Sequence, residues 1–172
     1  AWKDNGFFYS RFPEPTGSEL STKNQFSKVY YHKIGDDQSK DSIIYEDASK
    51  PDRGFSAGTT EDEKFLIIYF SEGTSNNGFL VKDLSDPNSK FVSIVDDLNN
   101  NYGVVDNIGD KILVQTDYNA SNYKLIMIDP KNPARENWKD VIPEKKDVLQ
   151  GIQILGGKIV ATYMQDAANH AY

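Results

Sequence analysis

The chain of 172 residues contains no cysteine. Disulfides, thiolate zinc sites and a cysteine nucleophile are thereby excluded, although the absence assigns no compartment. Histidine is nearly as scarce, with only His32 and His170 present. Two imidazoles so far apart argue against a histidine-based metal centre, and no metal or other cofactor is expected. Basic residues are in deficit, with 19 Lys and Arg against 26 Asp and Glu and a net charge of -7. Nucleic-acid phosphates and anionic membrane surfaces both select clustered cations, so neither is an expected partner. The acidic balance favours solubility. No apolar run reaches the about 18 residues of a membrane span, and no segment has the layout of a signal peptide. The expected setting is a soluble protein of the cytoplasm or periplasm. Sustained i, i+3, i+4, i+7 apolar patterns are also missing, which excludes a helical architecture.

What the chain has instead is aromatic residues, ten Tyr and nine Phe among them. Such side chains suit a pleated, half-buried surface. They recur in a repeat: a polar turn with Gly or acidic residues, followed by a short apolar strand. The strands begin at Phe7, Phe65, Ile112 and Ile159, at intervals of 58, 47 and 47 residues. In the first three units a second strand follows, at Val29–His32, Phe79–Leu84 and Leu125–Asp129. A third comes at Ile43–Tyr45, Phe91–Val95 and Trp138–Ile142. Connectors such as Ser85-Asp86-Pro87-Asn88-Ser89 carry turn-forming residues. Several strands per unit at this period predict the blades of an all-β propeller.

The longer first interval is explained by a polar insertion from Pro13 to Asn24, read as a surface loop. The first unit lacks a recognisable leading strand. The last starts near Leu149 and holds about two strands, so two full and two partial blades are expected. Ala1-Trp2-Lys3-Asp4 resembles neither a natural start nor a targeting segment, and the chain is expected to be a piece of something longer. An open arc of blades would expose apolar surface and unpaired strands at both ends. Edge-to-edge self-association is therefore expected.

Phrases within these units resemble the prolyl oligopeptidase family. They are Trp2-Lys3-Asp4-Asn5-Gly6-Phe7-Phe8-Tyr9, Lys28-Val29-Tyr30-Tyr31-His32-Lys33-Ile34-Gly35-Asp36-Asp37-Gln38-Ser39 and Ser71-Glu72-Gly73-Thr74. Ser121-Asn122-Tyr123-Lys124-Leu125, Trp138-Lys139-Asp140-Val141-Ile142-Pro143-Glu144 and Lys146-Asp147-Val148-Leu149-Gln150 follow in the same order. The resemblance implies that residues 1–172 are the middle of a seven-bladed propeller, about three to four antiparallel blades of it. In that family the propeller covers an α/β-hydrolase domain that cleaves short proline-containing peptides with a Ser-His-Asp triad. That domain is absent from this sequence and would be the chain's partner in the parent protein. The family places an Arg before the Glu-Gly pair, where it hydrogen-bonds a substrate carbonyl. Here that position is Ser71, which has neither the reach nor the charge of Arg. Thr74 matches a position that lines the substrate pocket in some members. The resemblance thus implies Ser71 and Thr74 as substrate-contact positions and implies no catalytic residue.

Gly54-Phe55-Ser56-Ala57-Gly58 fits the G-x-S-x-G nucleophile elbow. An elbow needs an apolar strand before the serine and a helix after it. Here a polar turn, Ala48–Arg53, precedes it and Thr59–Lys64 leads into a strand. The segment reads instead as the first strand of a blade. His32 lies in an alternating strand and reads as a polar-face or interblade residue, and His170 reads as part of a polar loop. Gly35–Asp41 is acidic, but Lys40 and the missing glycine spoil a calcium loop, leaving a hairpin turn. Asn119-Ala120-Ser121 matches a glycosylation sequon within an Asn-rich loop. Tyr30, Tyr31, Tyr45 and Tyr69 read as sheet packing or as a carbohydrate-stacking surface. The rival to a peptidase propeller is a binding-only propeller, a scaffold or a sugar-recognition module.

Overall fold

The computed structural model describes residues 1–14, 17 and 23–172. Four antiparallel sheets follow one another along the chain, and they do not close into a ring. The first holds β1 (Trp2–Lys3), β2 (Gly6–Arg11), β3 (Lys28–Lys33) and β4 (Ser42–Glu46). The second holds β5 (Gly54–Thr59), β6 (Phe65–Ser71), β7 (Gly78–Asp83) and β8 (Val92–Val95). The third is built from β9 (Tyr102–Ile108), β10 (Lys111–Thr116), β11 (Lys124–Ile128) and β12 (Lys139–Ile142). The last has β13 (Val148–Leu155), β14 (Lys158–Gln165) and β15 (Ala168–Ala171). Each sheet is a simple meander in chain order, the blade architecture expected from the repeat.

Two counts differ from the sequence expectation. The first blade does have a leading strand, since β1 pairs Trp2 with Phe7 and Lys3 with Gly6. At two residues it is too short for any alternation to show. The last blade has three strands, because β15 pairs with β14 from Ala168–Gln165 to Ala171–Thr162. The sequence of β15 is exposed throughout and lacks an apolar face, so pattern alone misses it. His170 therefore stands on this strand, opposite Tyr163, and not in a polar loop. The insertion read as a loop between Pro13 and Asn24 lies mostly outside the described residues.

Blades two and three read as near-continuous apolar runs because their central strands are covered on both faces. In β6, Leu66, Ile68 and Phe70 pack with Phe8, Val29 and Phe55 toward the first blade. The alternate residues Phe65 and Ile67 pack with Phe79, Tyr102, Ile112 and Val114 toward the third. In the last blade, Leu149, Ala161 and Tyr163 build a smaller core, against Tyr123 and Ile142 of the third. The repeat extends to irregularities. The pairings β3–β4, β7–β8 and β11–β12 each slip at the second residue of the inner strand, after Val29, Phe79 and Leu125. Such bulges sharpen the twist of the outer strand.

At one end of the strands, polar groups tie the first blade to the second and the second to the third. Lys3 Nζ lies 3.2 Å from Glu63, the Glu61 amide donates to Asp106 at 3.0 Å, and Asn107 donates to Asp62 at 2.9 Å. The opposite end of β2 and β6 carries the cavity described below.

Candidate functional site

The β6–β7 connection runs from Ser71 to Asn77 and overhangs the junction of the first two blades. Its shape follows from its residues. Gly73 adopts φ 144°, a conformation that side chains rarely tolerate, and Asn76 follows in the left-handed region at φ 62°. The Asn76 side chain donates to the Leu98 carbonyl at 3.1 Å, and Asn77 and Tyr102 exchange two hydrogen bonds. The loop is thereby fastened to the entry of the third blade.

Its other root is held by Arg53. The guanidinium lies over the Phe70 ring, 4.3 Å from its centroid, and its Nε donates to Glu72 at 2.9 Å. A second, longer bond of 3.3 Å reaches Asp96. The side chain is only 11% exposed. Burial works against its charge, but the two carboxylates outweigh this and hold its pKa above the ordinary value.

Beneath the loop lies a cavity of about 490 Å³, lined by both substrate-contact positions implied by the resemblance, Ser71 and Thr74. Ser71 ends β6 opposite Gly54, and Thr74 stands exposed on the loop. Ser56 also opens into this space, from the middle of β5, where it pairs with Tyr69. Strand continues on both sides of it, so the elbow geometry is absent. Neither histidine lines the cavity. Instead His32 Nδ1 lies 2.8 Å from Asp41, on the β3–β4 connection. A serine hydroxyl without a neighbouring base is not an activated nucleophile.

Sequence reasoning missed Arg11. It closes β2 at the rim of the cavity beside Phe12, while its guanidinium lies 4.8 Å from the centre of the Tyr30 ring, on the face of the first blade turned away from the second. Among the described residues it is the one charged residue of the lining, beside hydroxyls, amides and aromatic rings. Such a lining can hydrogen-bond carbonyl oxygens, and among the described residues it holds no acid–base pair with which to break a bond.

The remaining sequence candidates lie elsewhere. The Gly35–Asp41 stretch folds into a connection with a short 3-10 turn at Gln38–Lys40, capped by Asp37. Asn119 sits in the β10–β11 turn at φ 50°, beside buried Ala120. The four tyrosines share no single surface. Tyr31 and Tyr45 pack into the core between the first two blades and Tyr69 into the next, while Tyr30 stacks on Tyr9.

Comparison with known proteins gives one consistent result. Residues 1–170 match the family model for the prolyl oligopeptidase N-terminal β-propeller domain. Prolyl endopeptidase of Elizabethkingia miricola is 38% identical over 165 residues, covering 95% of this chain and 23% of that protein. A dual function macrocyclase-peptidase of Galerina marginata is 33% identical over 147 residues, covering 83% of this chain and 20% of its own length. Among solved structures, prolyl oligopeptidase B of Galerina marginata, bound to a 35mer hydrolysis and macrocyclization substrate, superposes with a TM-score of 0.86 at 30% identity. That superposition covers 98% of this chain and 24% of the other. The chain thus spans about a quarter of the length of the relatives it matches.

Proposed function

The chain belongs to the prolyl oligopeptidase N-terminal β-propeller family, and from that premise we propose that it is the non-catalytic, substrate-gating part of a proline-specific serine endopeptidase acting on short peptides. The observation that carries this reading is the match over residues 1–170, in a chain that covers 23% of a prolyl endopeptidase. The remainder of such a protein would supply an α/β-hydrolase domain as this region's partner. The propeller's contribution is steric. Blades filled with side chains leave no wide passage, so extended peptides pass where folded proteins do not. Ser71 and Thr74 would face the peptide from the cavity at the open end of the strands.

The test uses the full-length protein. It should cleave a short proline-containing chromogenic peptide and leave folded proteins intact, with Ser56→Ala without effect on turnover. Cleavage of folded proteins at a similar rate would remove the gating role. A parent sequence without a hydrolase domain, joined to a protein that binds sugars or partners and cleaves nothing, would replace this reading by a binding-only propeller. For the chain by itself, we further propose self-association through its end blades, where Trp2 at 62%, Ile43 at 48% and Tyr172 at 69% exposure present apolar surface. Light scattering that finds a monomer at every concentration would sink that idea.

A further inference from the structure

We propose that Arg53 is a positioning residue for the bound peptide: through Glu72 it fixes the segment that carries Ser71 and Thr74 over the cavity. The inference rests on the reading of that cavity as peptide-facing. Arg53 ends the β4–β5 connection, where its amide donates to the Lys50 carbonyl at 3.1 Å. Its side chain reaches two other connections at the same end of the second blade, Glu72 between β6 and β7 and Asp96 between β8 and β9. The platform beneath it is rigid, because Phe70, whose ring lies under the guanidinium, is buried in the core between the first two blades. A guanidinium seated on an aromatic face keeps its plane, so its N–H groups meet the carboxylate in one geometry. The third corner is fixed as well. Asp97, next to Asp96, pairs with Arg135 of the third blade.

What Arg53 holds has little else to hold it. Glu72, Gly73, Thr74 and Ser75 are all exposed, so no apolar side chain anchors them. Among the described residues, the one hydrogen bond these four make is that from Arg53 to Glu72. Gly73 stands among them at φ 144°, and glycine leaves the chain free to turn there. The far side of the loop is different, for Asn76 and Asn77 tie it to the entry of the third blade. Releasing Glu72 therefore frees the stretch that carries Ser71 and Thr74, and the freedom it gains must be lost again when peptide binds. Both residues belong to the non-catalytic part of the protein. The cost falls on ground state and transition state alike, which raises KM and leaves kcat.

The experiment measures steady-state cleavage of a short proline-containing chromogenic peptide by the full-length protein. Arg53→Met keeps an apolar side chain over Phe70 and removes both bonds to carboxylates. Its KM should rise about tenfold, the worth of one hydrogen bond to a charged group, with kcat held within about twofold. Arg53→Lys should recover part of the loss. Glu72→Ala, a change at an exposed side chain, should raise KM by a similar factor. Combining it with Arg53→Met should add nothing further, because both remove one contact. If Arg53→Met fails to fold, Glu72→Ala decides by itself. Unaltered KM in Glu72→Ala, a fall in kcat without a rise in KM, or additive effects in the double variant overturns the proposal. So does a rise in KM that comes with a loss of melting temperature and that Arg53→Lys does not recover. A parent protein that binds the peptide without cutting it would reject the peptidase reading. The same comparison is then made on a fluorescent form of the peptide by anisotropy, where about tenfold weaker binding to Glu72→Ala keeps the clamp and equal binding rejects it. A parent that neither cuts nor binds the peptide overturns both.

Discussion

Asn77 and Tyr102 grip each other in both directions: the Asn77 Nδ2 donates to the Tyr102 carbonyl at 3.0 Å, and the Tyr102 amide donates to Asn77 Oδ1 at 2.9 Å. One side chain thus mimics a strand neighbour and joins the second blade to the first strand of the third. Asn77→Ala removes both bonds and leaves part-buried backbone groups without partners, at a cost of about 1–3 kcal/mol. A fall in melting temperature of about 5 °C should follow, together with faster hydrogen exchange across residues 71–77. Unchanged exchange in that loop would show that Arg53 and Asn76 suffice to hold it.

Gly78 is fixed by close approach. A Cβ there would stand 2.2 Å from the Phe70 ring and 2.7 Å from the Val95 carbonyl oxygen. Gly78→Ala should cost about 1–3 kcal/mol, because a backbone oxygen cannot swing aside. Gly103, whose Cβ position has nothing within 4 Å, is the control. Gly103→Ala should stay within about 0.5 kcal/mol of the parent in urea unfolding.

The hydroxyl of Tyr102 is buried without a hydrogen-bond partner, and burial pushes its pKa up to about 12. The ring itself packs well, edge-on to Trp138 at 6.2 Å. Tyr102→Phe keeps that packing and deletes the unsatisfied group, so stability should hold or rise by up to about 1 kcal/mol. A clear loss of melting temperature would reveal a partner for the hydroxyl.

Asp41 gives the chain a local acid sensitivity. Its side chain is 3% exposed, with the Tyr9 hydroxyl donating to it at 2.7 Å and His32 at 2.8 Å. Burial alone would raise its pKa, but these two bonds outweigh that and lower it. A depressed folded value means the stabilisation is complete above the unfolded pKa of about 3.9. It is lost as pH falls through the folded value. The gap in melting temperature between the parent and Asp41→Asn should therefore be constant near neutral pH and close below about pH 4. A gap that stays open at pH 2 would show the variant acts through packing instead.

The central strands were legible because their physics is local. Phe65–Ser71 and Lys111–Thr116 carry apolar side chains for both faces, and turn residues bracket them. β1 and β15 were not, since pairing and not composition makes them strands. Nor did the sequence pattern mark Tyr102–Ile108, where polar residues interrupt the alternation and the pairing slips opposite Leu113 and Val114.

The sequence by itself determined the all-β class and the repeat, and family phrases gave Ser71 and Thr74. Periodicity and turn chemistry act over a few residues, so they can be read without coordinates. The meeting of Ser10–Phe12, at the end of β2, with Ser71 and Thr74 was decided only in three dimensions. Some 60 residues separate them, and nothing local to Ser10 announces a partner. The packing of Phe8, Val29 and Phe55 against Leu66, Ile68 and Phe70 sets the first blade against the second and brings the ends of β2 and β6 to one cavity. That apposition depends on apolar burial between sheets, which has no signature in the polar residues it brings together.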